Sequence, residues 1–118
     1  MSFNEYIRHY WPFLIFMLWI GYKIWNTRRV KKLIPSLKAR NAKIIDVRTV
    51  SEFERSHAPD TINIPLQEIK SRLDEIPKDV PIILCCASGT RSGFAKRYLA
   101  RQGFQEIYNA GAFTNLIK

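Results

Sequence analysis

Two adjacent cysteines, Cys85 and Cys86, close an apolar run that begins at Val80. They are followed by Ala87-Ser88-Gly89-Thr90-Arg91-Ser92-Gly93. A thiol, a nearby glycine and an arginine within six positions, set between an apolar strand and a helical pattern, are the parts of an anion cradle. The loop N–H groups and the positive end of the helix converge on whatever sits at the strand's C-terminal end. A cysteine opening such a loop has its thiolate stabilised and is nucleophilic at neutral pH. Arg91 offers a planar fork that favours the thiolate and binds sulfonate or phosphate oxygens. Gly89 permits the backbone geometry that a tight loop demands. From these residues alone, either cysteine can be the nucleophile.

The elements that position this loop alternate. Strands are expected at 43–47, 61–64, 80–85 and 105–108, each short and rich in Ile or Val. Helices are expected at 51–56, started by a capping box between Thr49 and Glu52, and at 67–76, with Ile69, Leu73 and Ile76 on one face. A third runs over 92–102, with Phe94, Ala95, Tyr98 and Leu99 on one side. Strands alternating with helices predict an α/β fold, a small parallel sheet flanked by helices. Adjacent cysteines cannot staple distant segments, so a disulfide scaffold is excluded. His9 and His57 stand far apart and no four-ligand metal spacing can be drawn; neither metal nor cofactor is expected.

The 118-residue chain carries a formal charge of +9, distributed unevenly. Residues 1–40 hold eight Lys/Arg against Glu5 alone, while 41–118 are almost balanced. This pattern speaks against a nucleic-acid reader, which would spread its basic residues over the folded face. From Trp11 to Tyr22 there is no charge, and from Tyr6 to Trp25 twenty residues are predominantly apolar, with aromatic residues clustered toward both ends. The expectation is one N-terminal transmembrane helix in contact with lipid. Arg28, Arg29, Lys31 and Lys32 beyond it place the folded part on the cytoplasmic side of the cell membrane. The chain then divides into an anchor at 1–27, a basic linker with a short helix at 28–41, and a folded domain at 42–118.

Four ordered segments resemble the rhodanese (thiosulfate sulfurtransferase) family: Ile44-Ile45-Asp46-Val47-Arg48; Glu52-Phe53 leading to His57 and Ile62-Asn63-Ile64-Pro65; Cys86 through Ser92; and Gly103-Phe104 through Tyr108-Asn109-Ala110-Gly111. The resemblance implies a six-residue loop whose first residue, Cys86, takes up a sulfane sulfur as a persulfide and passes it to a nucleophile. Ala87, Ser88, Gly89, Thr90 and Arg91 would bind the substrate, and Asp46 and Arg48 would brace the loop. The implied partners are a small-molecule sulfur donor and an acceptor, the latter a small molecule or a protein thiol. Ser56 and Asp60 flank His57 where the family usually has glycines, and the segment before Asp46 is short for the family, so its opening helix is expected to be abbreviated or merged with the helix before it. Two alternatives remain. Counted from Cys85, the spacing to Arg91 resembles that of Cys-dependent phosphatases, although Gly89 lies three positions after Cys86 and four after Cys85. A tethered rhodanese-like domain could also serve as a non-catalytic binding module.

Overall fold

The computed structural model describes residues 1–117. The elements run α1 (Phe3–Ala39), β1 (Lys43–Asp46), α2 (Val50–Arg55), β2 (Thr61–Asn63), a 3-10 helix (Leu66–Glu75), β3 (Ile82–Cys86), α3 (Thr90–Arg101), β4 (Ile107–Ala112) and a closing 3-10 turn (Phe113–Leu116). The four strands form one parallel sheet in the order β2-β1-β3-β4. The expected parallel sheet flanked by helices is present.

β3 lies in the middle of the sheet and is buried along its whole length, as a run of Ile82-Ile83-Leu84-Cys85-Cys86 requires. Its side chains alternate between two cores. Ile82, Leu84 and Cys86 join Ile45, Val47, Ile69, Ala95, Leu99 and Phe104 on one face. Ile83 and Cys85 join Val30, Ile34, Leu37, Ile44, Ala110 and Leu116 on the other. The period of two therefore sends the two cysteines in opposite directions.

The apolar length of α1 overturns the expectation of a membrane anchor. No helix among the described residues is long and apolar enough to cross a membrane. The charge-free run from Trp11 to Tyr22 makes about 18 Å of helix, against a hydrocarbon core of roughly 30 Å. Extending it to twenty residues takes in Arg8, His9 and Lys23, and much of its apolar character comes from Trp and Tyr, which favour interfaces over hydrocarbon. The membrane location, the lipid partner and the cytoplasmic orientation derived from that span fall with it. What stands in its place is a single 37-residue helix, started by a capping box between Ser2 and Glu5. It continues through the basic stretch and past Pro35 to Ala39. Val30, Ile34 and Leu37, spaced four and three apart, lie on one stripe of that helix and cover the sheet face opposite α3.

Two other elements differ from their sequence pattern. Residues 66–75, expected to be α-helical, form 3-10 turns broken at Arg72. The segment is confined between Pro65 and Pro77, and Ser71 donates its hydroxyl to the Glu68 carbonyl, in competition with regular backbone bonding. β4 begins later than expected and runs through Asn109-Ala110-Gly111, residues of low strand propensity, because its pairing with β3 carries it across a bulge between Leu84 and Cys86. At the family's glycine position after His57, Asp60 takes φ 57°, a left-handed conformation that a short polar side chain tolerates.

Candidate active site

β3 delivers Cys86 to the C-terminal edge of the sheet, where the chain turns through Ala87-Ser88-Gly89 into α3. The Sγ atom accepts the Gly89 N–H at 2.9 Å and the Ser92 N–H at 3.5 Å, and lies 3.3 Å from the Ser92 hydroxyl. Gly89 makes this possible. Its φ of 98° turns the N–H inward, and a Cβ there would meet the Gly111 Cα at 3.1 Å.

Asn109 on β4 anchors the loop from behind. It donates to the Gly89 carbonyl at 3.0 Å, and its Oδ1 accepts the Gly111 N–H at 2.9 Å and the Ser92 hydroxyl at 2.7 Å. The Ser92 hydroxyl has one proton and two acceptors. Given to Asn109 it leaves the Cys86 S–H to donate to Ser92; turned to Cys86 it stabilises a thiolate, while Asn109 keeps the Gly111 N–H. Burial of Cys86 opposes ionisation, but the Ser92 hydroxyl and the backbone amides of Ser92, Ser88 and Gly89 outweigh it, and the thiol lies below its ordinary range. Cys85, fully buried on the opposite face and near Asp46, is pushed well above its ordinary range.

A pH profile of alkylation checks this arrangement. Cys86 reacts with iodoacetamide through its thiolate, so the rate should reach its plateau below the pH expected for a free thiol. Ser92→Ala should move the inflection upward by removing one stabilising donor. An unchanged inflection would remove Ser92 from the control of the thiol.

Asp46 and Arg48, at the end of the neighbouring strand, form a buried pair. Asp46 at the end of β1 accepts Arg48 Nε at 2.9 and 3.0 Å, Nη2 at 2.8 Å and the Arg48 backbone N–H at 2.9 Å. Arg48 Nη2 also donates to the Ser56 carbonyl at 2.7 Å, and its guanidinium lies 3.7 Å from the centre of the Phe113 ring. Asn63 on β2 donates to both the Asp46 and the Arg48 carbonyls at 3.0 Å.

Arg91, in the first turn of α3, is directed to α2. Its Nη1 and Nη2 donate to the two carboxylate oxygens of Glu52 at 2.7 and 3.0 Å. Hydrogen bonding from Arg91 and Thr49 lowers the Glu52 carboxyl to about 2, against the opposing effect of burial. Glu52 also completes the α2 capping box with Thr49. On the rim, Lys23 of α1 donates to the Ser88 carbonyl at 3.3 Å.

The structure thus gathers Cys86, Ala87, Ser88, Gly89, Thr90 and Arg91 around one loop, with Asp46 and Arg48 packed at the neighbouring strand end. Glu52, Asn63 and Asn109 lie in the segments that resemble the family, but their contacts with Arg91, with the Asp46 and Arg48 carbonyls and with Gly89 carried no sequence signal, nor did that of Lys23 with Ser88. His57 stacks on Phe53 at 3.9 Å and makes a 2.9 Å hydrogen bond between its Nδ1 and the Phe53 carbonyl, a structural role.

Similarity to known proteins follows this geometry. A putative sulfur carrier protein, YrkF, of Bacillus subtilis is 39% identical over 66 residues, 56% of this chain and 36% of that protein. A sulfurtransferase of Allochromatium vinosum is 38% identical over 66 residues, 56% of this chain and 62% of that one. The chain therefore spans between a third and two thirds of these relatives' length. An Escherichia coli rhodanese crystallised with anions superposes with a TM-score of 0.59 at 33% identity, covering 63% of this chain and 89% of that one. Residues 29–115 match the rhodanese-like domain. That match takes in the end of α1 from residue 29 as well as the sheet and the Cys86 loop, and the chain accordingly belongs to the rhodanese-like domain family.

Proposed function

We propose that the protein is a sulfurtransferase that carries sulfane sulfur as a persulfide on Cys86. The observation that carries this reading is the set of N–H and O–H donors from Gly89 and Ser92 converging on Cys86 Sγ, which stabilises a thiolate. With thiosulfate as donor, the Cys86 thiolate attacks the outer, sulfane sulfur. A new S–S bond forms to Sγ, the donor's S–S bond breaks, and its electron pair leaves on sulfite. The Cys86 persulfide then gives its terminal sulfur to an acceptor nucleophile, small molecule or protein thiol, and the bonding pair returns to Sγ as thiolate. The Ser92 hydroxyl donates to Asn109 Oδ1 when Sγ is bonded to sulfur and turns back to Sγ when the thiolate is restored.

In this reading Ala87, Ser88, Gly89 and Thr90 shape the seat of the transferred sulfur, Arg91 binds the anionic end of the donor, and Asp46 and Arg48 hold the strand ends on which the loop rests. The phosphatase register finds no support in the site. Cys85 lies in the opposite core with its thiol pushed up, away from the amides that would serve a phosphate. Relatives named as sulfurtransferases add weight, among them the thiosulfate sulfurtransferase PspE of Escherichia coli, 35% identical over 74 residues, 61% of this chain and 71% of that protein.

Rapid mixing with thiosulfate, without acceptor, tests the proposal. It should release one equivalent of sulfite per chain and then stop until a nucleophile is added. No release above the buffer rate, together with no sulfur taken up from an alkyl persulfide, would overturn it.

A further inference from the structure

Three cationic groups near the Cys86 loop are already engaged. Arg48 is enclosed by Asp46 and the Ser56 carbonyl. Lys23 lies on the Ser88 carbonyl. Arg91 gives both terminal nitrogens to Glu52, in the fork-to-fork geometry that it would use for an incoming anion. Glu52 is not a free surface carboxylate. It is the N3 residue of α2, where the Thr49 backbone N–H and hydroxyl donate to its Oε1 at 3.3 and 3.0 Å and its own N–H returns to the Thr49 hydroxyl at 3.3 Å. The pair is only about one third exposed on either side.

We propose that Glu52 is a specificity-determining residue, a built-in competitor that a doubly charged donor must displace to take the Nη1–Nη2 fork of Arg91. The inference deepens the sulfurtransferase reading and rests on it for the identity of the donor. With Glu52 in place the Arg91 charge is already matched, and only the remaining guanidinium N–H groups are open to a second anion. A dianion such as thiosulfate takes the fork only by breaking the Glu52 contact, and it approaches beside both the displaced carboxylate and the Cys86 thiolate. An alkyl persulfide carries at most one negative charge and has no dianionic head to place in the fork; its transfer breaks the same kind of S–S bond and releases a thiolate rather than sulfite. The mouth therefore selects donors by charge and favours organic persulfides over dianions. Because the Glu52 carboxyl is held near 2, protonation does not relieve the competition at neutral pH.

The test separates anion binding from turnover. Iodoacetamide labels Cys86, whose thiol is lowered, in preference to Cys85, whose thiol is pushed up, and sulfate, an unreactive dianion, protects it by occupying the mouth. Glu52→Gln keeps the shape and the capping hydrogen bonds but removes the charge. It should lower the sulfate concentration that gives half-protection by about tenfold, each variant being read against its own labelling rate in the absence of sulfate. Glu106→Gln removes an equal charge from the distant exposed pair with Arg40 and should leave protection as in the wild type. In turnover, Glu52→Gln should lower KM for thiosulfate by a similar factor and leave KM for an alkyl persulfide within about twofold. Unchanged or weakened sulfate protection, or equal changes for both donors, would overturn the proposal. Stronger sulfate protection in a protein that takes sulfur from neither donor would uphold the role of Glu52 toward anions and overturn the sulfurtransferase reading instead.

Discussion

Cys86→Ser is expected to reduce sulfur transfer to the rate of buffer alone while leaving the protein folded. A hydroxyl keeps the hydrogen bonds to Gly89 and Ser92 in a slightly smaller volume, so the loop and the β3 core should persist. But an alcohol is not ionised at neutral pH and cannot form a persulfide. The loss is therefore chemical, and the thermal midpoint should move little. Cys85→Ser reverses the pattern. It puts a hydroxyl into the core formed with Ile83, Val30 and Leu37, at a cost of about 1–3 kcal/mol where no partner is found, and should retain most of the activity. Steady-state sulfite release and denaturant midpoints on the two variants separate these outcomes. Activity lost only in Cys85→Ser would move the nucleophile to the other face of the sheet.

The second large effect is on stability. Asp46→Ala leaves the Arg48 guanidinium buried and without its carboxylate, a loss expected at about 3–5 kcal/mol. For a small domain stabilised by roughly 5–15 kcal/mol, that is enough to lower the urea midpoint sharply and to disorder the loop above it. The effect belongs to the unpaired charge, not to the pair as such. A double variant, Asp46→Ala with Arg48→Met, should recover much of the loss, because both ions then stay out of the interior. If Asp46→Ala costs less than about 1 kcal/mol, the pair contributes no more than a surface ion pair and the brace assigned to it is wrong.

How much of this was readable beforehand depends on the range of each interaction. The strands Ile44-Ile45 and Ile82-Ile83-Leu84 announce themselves through local β-branched runs, and Thr49 with Glu52 announces the start of α2, since both signals lie within four residues. The loop from Cys86 to Ser92 is equally local, and a helix turn brings its donors onto Sγ without help from elsewhere. Asn109 escaped because its contacts with Gly89 and Ser92 join residues 20 and 17 positions apart. Glu52 was legible as a cap but not as the partner of Arg91, 39 positions away. Its carboxylate serves both roles at once. The membrane span fails because the aromatic residues in the first half of α1 favour interfaces over hydrocarbon, and the basic stretch continues the same helix. Spacing in the second half places Val30, Ile34 and Leu37 on one stripe, a pattern that belongs to a helix packed on a sheet. β4 was shifted because Asn109, Ala110 and Gly111 have no strand propensity of their own; β3 imposes the conformation.

The central claim, that Cys86 carries the sulfur, is tested most directly by mass spectrometry. The protein is treated with thiosulfate, freed of excess donor and fragmented so that Cys85 and Cys86 fall in different ions. The account predicts one added sulfur atom, on Cys86 alone, removed when an acceptor thiol is supplied. An unaltered mass, or the sulfur found on Cys85, would contradict it.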